Sequence, residues 1–331
     1  MPELTCLEMC AGGGGQALGL EQAGFTHTGL VETDPDCCDT LIRNRPHWPV
    51  LQGDISRLPD GWLQPADLVA GGLPCTPHTR GGRQLGVADE RHLWDAALRI
   101  ITAVRPRAVM LETSNAILTS RFDNERDRTT GGLLDLGYRL RWDEVDCSRH
   151  SVPQRRRRAV LIGIAVRGTG PLPWPEPSYP GIPLTVGAVL YPMAAAYGWE
   201  GARYWAGRAR DAAPTVVGGS RKHGGPDLGA SQGKEAWRRL GIDPMGIADG
   251  PPGPDGTYPR GRGRTGNANE TGLMLTTEMA ARLQGFPPDW QFCGTKTARY
   301  RQVGNAFPPP AARALGQAIA KALEHGQETA A

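Results

Sequence analysis

Leu7-Glu8-Met9-Cys10-Ala11-Gly12-Gly13-Gly14-Gly15 is the stretch that decides the fold. An apolar strand ends in it and passes, through four glycines, into a helical pattern over 15–23. Backbone N–H groups at such a turn, with a helix N-terminus behind them, make a site for a polar or anionic group. Outward from this turn the same alternation repeats. Strands are predicted at 4–9, 28–31, 67–70, 108–111 and 159–165, with helices near 15–23, 36–44 and 92–104. Strands that alternate with helices predict an α/β fold with a parallel, doubly wound sheet.

The alternation stops at 170–183, where six of fourteen residues are proline, and this reads as a linker. Beyond it, up to about 271, the chain is irregular, with Gly/Pro clusters at 223–229 and 250–266. Helical patterns return at 276–283 and in an Ala-rich run over 308–323. No internal repeat is present.

At 331 residues, 39% hydrophobic and 21% charged, the chain has the composition of a globular protein. It holds no apolar run of membrane-spanning length and no charged-then-apolar leader, so a cytoplasmic, nucleoid-associated monomer is expected. The seven cysteines form no Cys-x-x-Cys pair, which argues against zinc and against a disulfide framework. No metal is expected. A net charge of +3 does not by itself call for a polyanionic partner. Arginine supplies 33 of the 37 basic residues, and its planar fork suits phosphates and the guanine edge. Coding bias towards Gly, Ala, Pro and Arg accounts for much of that excess.

Three strand ends carry ligand chemistry in order. The glycine turn comes first. Glu32 then closes the second strand, where a carboxylate can accept from both hydroxyls of a ribose. Gly53-Asp54-Ile55 closes the third, with Asp54 an acceptor for an adenine amino group and Ile55 an apolar surface for the ring. This points to a nucleoside cofactor. Gly12, Gly14 and Ala17 also fit the dinucleotide fingerprint, so a nicotinamide oxidoreductase stays open on these residues alone.

Gly71-Gly72-Leu73-Pro74-Cys75-Thr76-Pro77 follows the strand at 67–70. Prolines on both sides of the cysteine keep it out of helix and ladder, and the glycines permit close backbone approach. A thiol held still at a strand end is a candidate nucleophile, though a structural cysteine in a turn has the same local sequence.

With these pieces side by side, the chain resembles the DNA (cytosine-5)-methyltransferases of bacteria and phages, from about Leu4 to the C-terminus except the middle region. The landmarks occur in the family's order. Cys10, Ala11, Gly12, Gly14 and Gly15, then Glu32, Asp54 and Ile55, match its S-adenosylmethionine site, to which Pro74 and Asn305 are also assigned. Pro74-Cys75 matches the nucleophile loop, and Glu112 opens the segment of the second catalytic residue. Gln154-Arg155-Arg156-Arg157-Arg158 matches Gln-x-Arg-x-Arg; Arg282-Leu283-Gln284-Gly285-Phe286-Pro287 and Gln302-Val303-Gly304-Asn305-Ala306 match the two C-terminal signatures.

The resemblance implies a Rossmann-like methyltransferase domain over 1–165 plus 277–331 and a smaller, irregular target-recognition domain over 166–276. It implies Cys75 and Glu112 as catalytic residues, with Arg156 and Arg158 serving the same pocket from one face of a strand. It implies S-adenosylmethionine as cofactor, double-stranded DNA as substrate, and a cognate restriction endonuclease as a possible partner. Residues 76–93 read as a lid over an extruded base. Thr79 and Arg83 within it, Gln154, and Arg221 and Lys222 further on are candidates for DNA contact, as are 215–219 and 260–264. Four positions depart from the family's common residues: Cys10, Thr33, Thr76 and His78. The largest departure is Glu112-Thr113-Ser114, where the family normally has Glu-Asn-Val. An RNA cytosine methyltransferase and a DNA-binding protein with a degraded active site therefore remain as alternatives.

Overall fold

The computed structural model describes residues 3–58, 60–74, 93–165, 171–178, 184–218, 227–259 and 266–328. These form two compact units. The first comprises Met1–Asp146, Arg157–Glu176 and Ala311–Ala331; the second comprises Cys147–Arg156 and Pro177–Pro310.

The first unit is built on a seven-stranded sheet in the order β3-β2-β1-β4-β5-β7-β6. Its strands are β1 (Leu4–Met9), β2 (Phe25–Glu32), β3 (Val50–Gln52), β4 (Leu68–Gly72), β5 (Ala108–Ser114), β6 (Arg139–Asp146) and β7 (Arg157–Ile164). Helices α1 (Gly15–Gln22), α2 (Pro35–Asn44), α3 (Trp94–Val104) and α4 (Asp123–Asp135) lie between them. The first five strands run parallel, as expected, and order reverses from β1 to β4 between the two halves. Ligands of open α/β sheets bind outside the carboxyl ends of the strands at such a switch.

The sheet is mixed, not wholly parallel. β7 runs antiparallel to β5 and to β6. β6 escapes the sequence reading because Arg139-Leu-Arg-Trp-Asp-Glu-Val-Asp146 alternates with charged residues, as an edge strand does. A charged edge strand has no continuous apolar run to betray it.

Strand alternation sorts β1 in two. Leu7 and Met9 enter a core with Val31, Val69, Val109, Leu111 and Leu161, closed by Trp94, Ala97, Ile100 and Ile101 of α3. Each such side chain, fully buried, contributes roughly 1.5–3 kcal/mol. Cys6 and Glu8, by period, face the other side. The final helix α11 belongs to this unit from Ala311 onward, and its Gly316 lies so close to Ala23 and Leu20 that a Cβ there would sit 2.7 Å from Ala23 Cβ.

The second unit holds α5 (Val186–Ala194), α6 (Ala202–Arg208), α7 (Ser231–Arg239), α8 (Ala268–Thr271), α9 (Thr277–Leu283) and α10 (Lys296–Asn305), with α11 (Pro309–Glu328) starting at its boundary. It is more helical than its composition suggests. Trp205 and Trp237 are buried in it and Trp237 is fully enclosed, so a few large side chains build the core that Gly/Pro-rich sequence conceals. Its limits also differ from those read in the sequence. Residues 147–156 and 277–310 fall in this unit, although the signatures they carry were assigned to the catalytic domain.

Candidate active site

The glycine turn is built by left-handed backbone. Cys10 has φ 54°, Gly12 φ 54° and Gly14 φ 83°, the last as N-cap of α1, with Gly15 the first helical residue. Ala11 N donates to Val31 O at 3.1 Å and Ala11 O accepts from Gly14 N at 3.0 Å, which folds the turn over the end of β2. A Cβ added at Gly12 would meet no atom within 4 Å, so the turn faces open space of the kind a ligand fills.

Glu32 is tied to that turn. Its Oε2 accepts from Gly12 N at 2.8 Å, and its Oε1 accepts from Thr33 N at 2.8 Å and Asp34 N at 2.9 Å. The carboxylate is thus fixed and still half-exposed. Asp54 caps the short 3-10 turn Ile55–Arg57; its Oδ1 accepts from Ser56 N at 2.8 Å and Ser56 Oγ at 2.7 Å. These two bonds hold its pKa below the ordinary aspartate value, so it stays a charged acceptor at the strand end. The turn, Glu32 and Asp54 together fit a nucleoside with hydroxyl and amine donors.

Ile55 requires a correction. Its side chain is 2% exposed and belongs to the core with Leu7 and Met9, so it does not offer a surface to an adenine ring. What it presents is an amide at the start of a 3-10 turn, a position without an intrahelical partner. Cys10 is half-buried beside Glu32, Asp54 and Glu8; burial first, then those three charges, raises its thiol pKa far above the usual range. It is an uncharged wall residue.

Glu8 was passed over in the sequence although it lies in the deciding stretch. It is fully buried, and neither carboxyl oxygen makes a hydrogen bond of ordinary geometry. Burial lifts its pKa well above the usual carboxylate value, offset in part by the backbone at Ala17. From the same side His27 Nε2 meets Ala17 O at 3.0 Å, so strand residues engage α1 at one peptide.

Pro74 follows β4, half-buried. Cys75, the lid with Thr79 and Arg83, and Arg221 and Lys222 lie outside the described residues. What the structure gives at this edge is the second carboxylate. Gly72 pairs with Glu112 between β4 and β5, and Leu73 N donates to Glu112 O at 2.9 Å. The chain entering Pro74-Cys75 therefore runs directly beside Glu112. A Cβ on Gly72 would sit 3.6 Å from Glu112 Oε2 and 3.8 Å from Cys10 O, so the carboxylate also neighbours the cofactor turn.

Arg158 orients Glu112. It pairs with Ser114 across β7 and β5, two residues along the same face, and its Nε lies 2.9 Å from Glu112 Oε1. Their side chains are 17% and 6% exposed, a charge pair almost withdrawn from water, where attraction is stronger than at a surface. The unusual neighbours of Glu112 have structural places. Ser114 caps the 3-10 turn Asn115–Leu118 by accepting from Ala116 N, and Thr113 is fully buried on the opposite face.

Arg156 and Gln154 do not hold the positions expected of them. Arg156 is 1% exposed and donates to Val216 O at 3.0 Å and Gly304 O at 3.1 Å inside the second unit. Strand β7 begins only at Arg157, so the alternation that was to place Arg156 with Arg158 had not started. Gln154 is fully buried, its amide bonded to Leu283 O, Gln284 Oε1 and Val216 N, and is no surface reader of DNA. Asn305 ends α10 in the second unit, exposed and beside Gly218.

The family model for C-5 cytosine-specific DNA methylase matches residues 4–321. The chain belongs to that family. It is 44% identical over 329 residues to the Type II methyltransferase M.NaeI of Lentzea aerocolonigenes, covering 98% of this chain and 76% of that one. It is 39% identical to M.NgoMIV of Neisseria gonorrhoeae, covering 97% and 99%. Among solved structures, a prophage-encoded E. coli protein described as a DNA modification methyltransferase superposes with TM-score 0.66 at 21% identity over 97% of this chain and 99% of that one. The Entamoeba histolytica methyltransferase EhMeth gives 0.65 at 10% identity, over 98% and 99%. This DNA cytosine-5 methyltransferase thus has its family's sheet, and the nicotinamide reading of the glycine turn falls away.

Proposed function

We propose that this methyltransferase modifies carbon 5 of a cytosine extruded from a specific duplex DNA sequence, using S-adenosylmethionine, and protects that sequence from a cognate endonuclease. The carrying observation is Glu112, paired with Arg158 at 2.9 Å and adjoining both the glycine turn and the chain that enters Cys75.

S-adenosylmethionine, when bound, supplies an electrophilic methyl group on a sulfonium. Glu32 and Asp54 would hold its ribose and adenine, and the amides around Gly12 its polar end. Carbon 5 of cytosine is a poor nucleophile until carbon 6 is attacked. Cys75 Sγ forms that bond, while Glu112 provides a hydrogen bond or proton at N3 to take up the ring's electron density. Carbon 5 can then accept the methyl group. Loss of the proton from carbon 5 and departure of Cys75 restore the aromatic ring. Arg158 holds Glu112 in place through these steps. The stacked base hides carbon 6, so extrusion precedes attack.

Bisulfite sequencing of DNA from cells expressing the chain tests activity and reports the site together. Protected cytosines at one recurring sequence are expected, with none from the Cys75→Ser variant. Protection that survives Cys75→Ser, or scatters without a common sequence, would count against the reading.

A further inference from the structure

Residues 214–218 form no helix or strand, yet their backbone is gripped from several sides. Gln154 Oε1 accepts from Val216 N at 2.8 Å, Arg156 Nη1 donates to Val216 O at 3.0 Å, and Thr215 Oγ1 donates to Arg155 O at 2.8 Å. The grip is itself braced. Gln154 Nε2 donates to Gln284 Oε1 at 2.8 Å, Gln284 Nε2 to Val303 O at 2.6 Å, and the other arm of Arg156 to Gly304 O at 3.1 Å. Gly304 touches the segment directly; a methyl group there would fall on the backbone of Val217 and Gly218.

Irregular chain usually crosses a surface with its polar groups in water. Here a buried guanidinium and two buried carboxamides replace the water, and burying an arginine is costly unless its bonds are well made. The result is a short piece of chain with one permitted position. Val216 points inward and is fully buried, while Val217 is 36% exposed. Gly229 backs Val217 closely, since a Cβ there would lie 3.2 Å from Val217 Cγ2. A β-branched side chain on a fixed backbone has little rotamer freedom. It makes a stiff apolar probe.

We infer that Val217 is a specificity-determining contact to one base edge of the DNA target, and that Gln154, Arg156 and Gly304 are its positioning residues. The inference rests on the DNA-methyltransferase reading and names where in the second unit a base pair is read. Apolar side chains discriminate bases by shape at the groove edge, above all by the presence or absence of the thymine methyl. One rigid valine therefore affects one base-pair position, together with its symmetry mate where the site is palindromic.

The test uses the full chain and duplexes carrying each single base-pair replacement of the site found by bisulfite sequencing. Val217→Ala should raise methylation of replacements at one position about fivefold to tenfold relative to the intact site, leaving other positions unchanged. Val217→Thr, of the same shape, should restore the native profile. Arg156→Lys, which keeps the charge but loses the two-pronged grip, should relax that same position. An unchanged profile for Val217→Ala, or equal relaxation at every position, overturns the inference. Absence of methylation by the native chain on any duplex would instead remove the methyltransferase reading.

Discussion

At the scale of single residues, two carboxyl groups five strands' width of chemistry apart in purpose share one cause, their surroundings. Glu112 has a guanidinium at 2.9 Å; Glu8 has only buried surroundings and the Ala17 backbone. Removing the partner of Glu112 with Arg158→Ala leaves a nearly buried carboxylate free to turn away from the base. Single-turnover methyl transfer should slow about a hundredfold or more, with cofactor affinity little changed. Glu8 supports a prediction about pH. Its folded pKa is raised, so its contribution to stability is fully present below the unfolded value of about 4.3 and is lost as pH climbs towards the folded value. Glu8→Gln keeps the shape without the titration. Its stability advantage over the native chain should therefore widen with pH, which urea unfolding midpoints at pH 5 and pH 8 would measure. A constant difference would mean that Glu8 does not titrate on folding in this range.

At the scale of elements, close approach decides more than propensity. Helix α10 carries Gly304 one residue from its end, where most helices place any convenient side chain. Glycine is needed because the backbone of Val217 and Gly218 occupies the space a Cβ requires. Gly304→Ala should cost about 2–3 kcal/mol through overpacking against rigid backbone. The urea midpoint would fall and site-specific DNA binding would weaken with it, whereas a neutral substitution would show that the segment yields. Strand β6 teaches the converse. Its charged alternation hid it from the sequence, yet it completes the sheet because pairing with β7 satisfies its backbone and needs few apolar side chains.

For the whole molecule, a net charge of +3 is too small to attract a duplex by bulk field, so DNA affinity must come from local arginine and lysine. Arg221 and Lys222, which follow the gripped segment in the chain, are the sequence's candidates for phosphate contact. Replacing both by alanine should lower the slope of log affinity against log salt by about 1.8, near 0.9 for each lost phosphate contact. An unchanged slope in a filter-binding titration would take them out of the interface.

Much of the cofactor end was legible before any coordinates, because glycines at a strand-to-helix turn and carboxylates at successive strand ends are local patterns with local causes. The sequence by itself settled the alternating α/β architecture and, through ordered motifs, the family. It could not settle the roles of Gln154, Arg156 and Ile55. Each sits in a motif that suggests ligand contact, but whether such a side chain meets a ligand or a neighbouring backbone depends on residues such as Leu283 and Gly304, more than a hundred positions away, or on which way a 3-10 turn rotates. Partners so distant in the chain meet only when the tertiary structure forms, and burial, hydrogen bonding and charge pairing are fixed by that meeting.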